Sequence, residues 1–245
     1  MKRFVTLLFC VIGMLYSWSG IAGALDSLKG PAEKLIDQQL RQPPPQLASS
    51  EGSKYSSSTV WNTVSRTDLW DCAMNGSLKE INCFLEKMKQ SGASQESMNF
   101  VRQRAERKEG ISWLGEFREI GRVDLGSVEF PFRANTNSAF CLLNGSPSLV
   151  STELGWDALD ITRDSNYPRL KSQYPNLELW PAGADFKSPQ AKADGGQRFI
   201  FSYILVNGCH ACYVGSTAEV AFDFDRNGTF KGTKLLRLVT TGRYR

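Results

Sequence analysis

The segment Cys209-His210-Ala211-Cys212 contains the residue types and the spacing that could do chemistry. The turn-forming pair Asn207-Gly208 precedes it and Gly215 follows it, which predicts a position at the turn between two strands. His210 is the only histidine of the chain. A nucleophile activated by histidine would therefore have to use His210, and a metal site with two histidines from one chain is excluded.

Three interpretations of the pair Cys209 and Cys212 are open. A redox-active C-x-x-C normally precedes a helix whose N-terminus lowers the thiol pKa, whereas both flanks here alternate like strands. Half of a zinc site would lack a second ligand pair, and a haem attachment site is excluded because Tyr213 rather than histidine follows Cys212. A disulfide that stiffens the tip of a hairpin is the favoured interpretation.

This hairpin resembles the protruding loop of periplasmic inhibitors of vertebrate-type lysozyme, in which a disulfide holds a histidine-bearing loop that plugs the cleft of the enzyme. The resemblance covers only Cys209 to Cys212 and the flanking strands, and the two cysteines are closer together than in that family. It implies an inhibitor or another ligand-binding protein, with Cys209, His210 and Cys212 as the candidate binding residues.

A second motif, Asp223-Phe224-Asp225-Arg226-Asn227-Gly228, begins like an EF-hand calcium loop. The twelfth position is Lys234, where calcium needs a bidentate glutamate. The flanks alternate like strands, so a hairpin turn at Asn227-Gly228 is expected instead. The sequence has neither a P-loop nor a dinucleotide-binding glycine motif between a strand and a helix. We expect no metal, no cofactor and no enzymatic activity.

Residues 1–24 predict a secretory signal peptide of bacterial style. Lys2 and Arg3 precede an uncharged, mostly apolar run, and Ala22-Gly23-Ala24 supplies the small residues of a cleavage site. The alternative is a single membrane anchor, which is disfavoured because serine and glycine dilute the second half of the run and no basic cluster follows. We therefore expect a periplasmic or secreted protein, cleaved near Ala24, without a transmembrane span after cleavage.

The composition is that of a globular protein. Of 245 residues, 41% are hydrophobic and 22% charged, which argues against a collagenous, coiled-coil or largely disordered chain. The formal net charge is +4, and loss of Lys2 and Arg3 with the leader would leave 27 basic against 25 acidic residues. A nearly neutral mature chain offers no general attraction for nucleic acid, so protein partners in the cell envelope are expected instead.

The cysteines agree with export into an oxidising compartment. Cys72 and Cys83 are expected to pair across a tight helical hairpin, and Cys209 with Cys212 across the strand hairpin. Cys141 lies in the apolar run from Ala139 to Leu143 and is expected to be a buried, inert thiol.

The pattern predicts an α+β fold in which helical segments are followed by an antiparallel sheet domain. After the leader, residues 25–58 are expected to form a tethered helix and a flexible linker, and residues 59–110 a helical region that contains a helical hairpin. Its last helix carries a basic cluster that could bind an acidic partner or a membrane surface, or could simply be a solvated helix end. The cluster consists of Arg102, Arg104, Arg107 and Lys108.

Residues 111–245 are expected to form the sheet domain. Apolar residues alternate from Phe199 to Leu205 and from Ala218 to Phe224, and a third strand runs from Phe230 to Val239, which predicts a C-terminal three-stranded meander. Ala139 to Leu143 is expected to be a buried strand, and Pro131 favours an edge position for the strand near it. The irregular stretch 146–196 contains aromatic residues that could either pack on the sheet or form a binding wall. They are Trp156, Tyr167, Tyr174 and Trp180.

The function expected from these features is a non-enzymatic binding or assembly module of the bacterial cell envelope, for example an accessory subunit of a secretion or envelope complex. Two alternatives are an inhibitor or ligand-binding protein that acts through the hairpin of Cys209 and Cys212, and a thiol-redox protein that uses the same pair. The sequence does not indicate the oligomeric state.

Overall fold

The computed structural model describes residues 54–62, 69–73, 77–156 and 158–240. The predicted signal peptide and residues 25–53 lie outside this part of the chain. The helices are α1 (Trp70–Ala73), α2 (Ser77–Gln90), α3 (Gln95–Glu106) and α4 (Tyr167–Gln173). The strands are β1 (Trp113–Arg118), β2 (Asp124–Glu129), β3 (Ser138–Leu143), β4 (Leu149–Ser151), β5 (Leu177–Leu179), β6 (Asp185–Ala191), β7 (Gln197–Asn207), β8 (Tyr213–Phe224) and β9 (Phe230–Thr240).

The strands form two antiparallel sheets. The first has the order β1-β2-β3-β4, and the second has the order β5-β7-β8-β9 with β6 also paired to β7. The predicted α+β class and the C-terminal meander of β7, β8 and β9 are confirmed. The edge position expected from Pro131 is wrong, because β2 pairs on both sides and Pro131 follows its last residue, outside the hydrogen-bonded ladder.

The first sheet lies between the second sheet and α3. On one face, Leu125 and Leu142 pack against the fully buried Phe199, Phe201 and Tyr203 of the second sheet. The opposite face is covered by α3, whose Phe100 belongs to one apolar cluster with buried side chains of the first sheet. Those side chains are Leu114, Val128, Ala139, Cys141, Leu143 and Leu149. Alternation with a period of two therefore directs successive side chains into two different cores.

The helical region packs through an apolar stripe on α2. Phe84 and Met88 of α2 are fully buried, and Phe84 contacts the rings of Trp61 and Trp113 at centroid distances of 5.8 Å. Trp61 was expected in a helix but lies in an extended segment, where its backbone N–H donates to the Leu114 carbonyl. The predicted disulfide between Cys72 and Cys83 is present and joins α1 to α2.

The last residues of the predicted linker pack on the sheet. Tyr55 is 4% exposed, and its hydroxyl donates to Gln103 of α3 at 3.1 Å. The Asn144 side chain holds the Tyr55 backbone at both polar groups: Oδ1 accepts from the amide at 2.8 Å and Nδ2 donates to the carbonyl at 2.9 Å. The same Nδ2 donates to buried Asp124 at 2.7 Å. Residues 54–58 are thus fixed to the end of β3.

The stretch 146–196, which has no clear period, contains three of the short elements. These are β4, α4 and β5, followed by the longer β6. Tyr167 and Tyr174 are partly buried against the core between the sheets. Trp156 and Trp180 lie elsewhere, at the end of the second sheet.

Candidate functional site

The candidate site is the end of the second sheet where residues 208–212 connect β7 to β8. Gly208 has a φ of +75°, a backbone conformation that favours glycine. The Asn207 amide donates to the Cys212 carbonyl at 3.0 Å, and the Cys212 amide donates to Cys209 at 2.9 Å. The predicted disulfide between Cys209 and Cys212 is present. Backbone hydrogen bonds and a covalent bond therefore close the hairpin.

The ring of His210 lies against an aromatic pair from the irregular stretch. Its centroid is 4.5 Å from that of Trp180, and the Trp180 and Trp156 rings meet edge to face at 5.5 Å. Trp156 is 62% exposed and Tyr213, the first residue of β8, is 41% exposed. We call Trp156, Trp180, His210 and Tyr213 the aromatic end.

Strand pairing explains why residues distant in sequence meet there. Glu178 of β5 pairs with Val206, and Val206 also pairs with Tyr213. The Trp180 amide donates to the Ile204 carbonyl at 3.0 Å. This register places Trp180 and Tyr213 on the sheet face that points away from the first sheet. A scaffold of paired backbone thus positions the aromatic end.

The hairpin that carries His210 and Tyr213 has no carboxylate, lysine or arginine side chain. From Phe199 to Ala218 the chain has no aspartate, glutamate, lysine or arginine. The indole N–H of Trp180 is buried and has no hydrogen-bond partner among the described residues. A buried donor without an acceptor is unfavourable.

Sequence reasoning found Cys209, His210 and Cys212 but did not connect them with Trp156 and Trp180. Of the two possibilities for the aromatic residues of the irregular stretch, packing on the sheet applies to Tyr167 and Tyr174, whereas Trp156 is largely exposed. No local pattern could place these indoles beside His210, because their proximity depends on the pairing of β5 with the end of β7.

The predicted basic cluster on α3 needs a correction. Arg102, Arg107 and Lys108 are exposed, but Arg104 is 3% exposed and does not belong to the surface. It follows Phe100 and Val101 at helical spacings of four and three, so it lies on the face that α3 buries. The other three stay exposed near the C-terminal end of α3, and none of them belongs to the aromatic end.

Buried Arg104 is compensated by several neighbours. Its Nη1 lies 2.9 Å from Oε2 of Glu109, and its Nε donates to the Ser112 hydroxyl at 2.5 Å. The guanidinium also lies over the Phe130 ring at 5.6 Å. Desolvation lowers the pKa of Arg104, and the nearby Glu109 carboxylate raises it.

The remaining candidate residues have structural surroundings. Cys141 is buried and unpaired, and desolvation raises its pKa to about 12, so the thiol is held in its unreactive protonated form. In the EF-hand-like motif, Asp225 accepts from the amides of Asn227 and Thr229 at 2.9 Å, which uses its carboxylate to close the β8–β9 turn. The described residues contain no group of three or more His, Cys, Asp or Glu that could hold a metal.

Comparison with known proteins gives no family assignment. No protein-family model matches the chain, and neither a curated protein nor a solved structure is significantly similar to it. In the part of the chain that the structure describes, no helix has the length and apolar character needed to cross a membrane.

Proposed function

We propose that this protein is an exported, non-enzymatic binding module of the bacterial cell envelope that recognises a protein partner through its aromatic end. The observation that carries the proposal is the contact of His210 with Trp180 and of Trp180 with exposed Trp156 at a disulfide-closed hairpin. Export is supported by the leader-like residues 1–24 and by two disulfides, which persist in oxidising compartments.

Binding through the aromatic end is favoured for two physical reasons. Tryptophan and tyrosine dominate the energetics of protein interfaces because they bury large rigid surfaces at a small cost in side-chain entropy. The closed hairpin and the paired strands hold these rings before a partner arrives, which reduces the entropy lost on binding. Because residues 199–218 contain no carboxylate, lysine or arginine, a partner bound at the hairpin would not have to desolvate such ions.

More specifically, we propose that the binding module is an accessory subunit of a secretion or envelope complex. The alternative with a specific observation in its favour is an inhibitor, because a rigid hairpin that presents His210 has a shape suited to entering a cleft. The two differ only in the partner: a structural envelope protein in the first case and a hydrolase in the second.

Site-specific photo-crosslinking in native envelopes tests the proposal. Ala211 and Ala193 are both exposed, and they lie in the turns at opposite ends of β7, so they are matched positions for a photoreactive residue. We expect a discrete adduct from position 211 that is absent from position 193 and lost when Trp156→Ala is added. Adducts of equal yield at both positions, or none at position 211, would contradict binding through the aromatic end.

A further inference from the structure

A cleft of about 850 Å³ opens between the two sheets on the side of β1, and its lining contains no residue of the aromatic end. The second sheet covers Leu125 and Leu142 of the first but leaves the same face open where β1 carries Glu116 and Arg118, both exposed. Ligand sites commonly have volumes of roughly 300–1,000 Å³. The cleft is therefore large enough for a small organic molecule.

Two neighbouring aromatic rings form part of the apolar lining of the cleft. Phe140 of β3 and Phe186 of β6 both line the cleft, and their ring centroids are 6.2 Å apart. Each also packs on the buried ring of Phe201, at 5.8 and 5.5 Å. The two rings are half-buried and anchored in the core, so they offer a rigid surface to a flat apolar group.

Two cations line the same cleft from different sheets. Arg118 belongs to β1 and Lys187 to β6; both are exposed. Neither has a carboxylate within ion-pair distance among the described residues, whereas many other basic side chains do. Those with such a partner are Arg104, Arg133, Arg163, Lys192, Arg198, Lys231 and Arg237.

Irregular pairing occurs in both strands where they line the cleft. The register of β1 shifts between Leu114 and Glu116, and that of β6 shifts between Phe186 and Ser188, at Lys187. Bulges redirect side chains and are frequent beside binding and active sites. Here the two irregularities fall at Gly115 and Lys187, two residues of the cleft lining.

We propose that this cleft binds a singly charged organic anion with an aromatic or other flat apolar body. The acid group lies between Arg118 and Lys187, and the body lies on Phe140 and Phe186. Glu116 offsets one of the two positive charges, so the lining favours a monoanion over a polyanion. The inference is independent of the proposed protein partner at the aromatic end.

Fluorescence titration of the full chain with anilinonaphthalenesulfonate, an aromatic monoanion, tests this proposal. We expect saturable binding of one dye per chain, weakened at least about tenfold by Arg118→Gln and by Lys187→Gln, because each removes a charge-assisted contact. N-phenylnaphthylamine, which has a similar ring system without the acid group, should bind weakly and should not respond to either substitution.

Two control variants locate the dye. Arg169→Gln removes an exposed cation on α4, and Trp156→Ala removes the exposed ring of the aromatic end; both should bind the dye like the unmodified chain. Since Arg118 and Lys187 are exposed, their variants should keep the same denaturation midpoint. Unsaturable binding, equal affinity for the neutral dye, or loss of binding in Trp156→Ala instead of Arg118→Gln would overturn the proposal.

Discussion

At the scale of single residues, Arg104 shows how a charge can lie inside the molecule. Its ion pair with Glu109, its hydrogen bond to Ser112 and its position over Phe130 replace the hydration that burial removes. Removal of the guanidinium would leave Glu109 with an unpaired charge and open a void between α3 and the first sheet.

We therefore predict that Arg104→Ala lowers the free energy of unfolding by about 2–3 kcal/mol, mainly because truncation of this buried side chain leaves a void beside Phe100 and Phe130. Arg102 is exposed on the same helix, and Arg102→Ala should change stability by less than about 0.5 kcal/mol. Urea denaturation followed by circular dichroism measures both variants. Equal effects of the two substitutions would show that Arg104 is not buried in solution.

In contrast to Arg104, His210 and Trp156 are predicted to contribute to partner binding and little to stability. Both are exposed, so His210→Ala and Trp156→Ala should each change the free energy of unfolding by less than about 1 kcal/mol while removing the photo-adduct formed from position 211. Thermal denaturation and crosslinking yield are measured on the same preparations. Loss of the adduct together with a large fall in the melting temperature would indicate a structural role instead.

The burial of Arg104 and the identity of the candidate site residues could be predicted only in part from the sequence. The spacing of Arg104 from Phe100 and Val101 predicts that Arg104 lies on the buried face of α3. Its charged side chain, however, predicts a position exposed to solvent. Only the three-dimensional positions of Glu109 and Ser112 decide between these signals. Cys209, His210 and Cys212 could be identified from the sequence because their chemistry is local, whereas Arg118 and Lys187 have no local signal and meet only through the arrangement of the two sheets.

At the scale of elements, helices and strands could be predicted where the periodic pattern of apolar residues extends over enough residues to be detected. The alternation in β7 and β8 spans several residues on each face, and the stripe on α2 covers more than two turns. The strands β4 and β5 contain three residues each, which is too short to define a period. Their positions depend on pairing with β3 and β7 rather than on their own composition.

The contributions of the two disulfides to the free energy of unfolding can be compared with each other. The sequence separation is 11 for Cys72 and Cys83 and 3 for Cys209 and Cys212. In the chain-entropy model, loss of the first bond costs about 3 kcal/mol and loss of the second about 2 kcal/mol. Paired Cys→Ser variants should reproduce this order in urea denaturation.

Hydrogen exchange provides a second measurement on the same variants. Loss of the Cys209–Cys212 bond should accelerate exchange at residues 207–213 and leave α2 protected, because the bond closes only the hairpin. Unchanged exchange at the hairpin would show that its backbone hydrogen bonds suffice to hold its shape.

The β8–β9 turn should carry a pH dependence of stability. The Asp225 carboxylate accepts from the Thr229 amide, ion-pairs with Lys231 and accepts from the Asn227 amide, and these contacts lower its pKa to about 2. Because the folded-state pKa lies below the ordinary value of 3.8, the stabilisation is present above about pH 4 and is lost as the pH falls through about 2.

We expect Asp225→Asn to be less stable than the unmodified chain at neutral pH, and the difference to shrink as the pH falls from about 4 towards 2. Denaturation at a series of pH values gives the difference, and the carboxyl chemical shift of Asp225 gives its pKa directly. A difference that stays constant down to pH 2 would contradict the assignment of the carboxylate to this turn.

At the scale of the whole molecule, a few polar side chains fix the two sheets to each other. The Gln197 side chain of β7 accepts from the Val123 amide at 2.8 Å and donates to the Val123 carbonyl at 3.0 Å. The Tyr203 hydroxyl donates to the Thr152 carbonyl at 2.5 Å. These bonds bridge long sequence separations, so no local pattern could have predicted them, although the buried faces that surround them follow from alternation.

The hydrogen bonds of Gln197 to Val123 at the junction of the two sheets can be tested by substitution. Gln197 is 3% exposed, and Gln197→Leu would leave the amide and carbonyl of Val123 buried without partners. We expect a loss of about 2–4 kcal/mol, since each unsatisfied buried group costs about 1–3 kcal/mol. Gln190 is exposed on neighbouring β6, so Gln190→Leu is the matched control and should be nearly neutral.

Two probes of denaturation show whether the junction makes the sheets unfold together. The fluorescence of a variant that keeps Trp113, the buried first residue of β1, as its only tryptophan, and far-ultraviolet circular dichroism of the same variant, should give one coincident transition. In Gln197→Leu the transition should move to lower urea, and any separation of the two curves would mean that this side chain couples the sheets. An unchanged midpoint would show instead that apolar packing of Phe199, Phe201 and Tyr203 against the first sheet holds the junction without it.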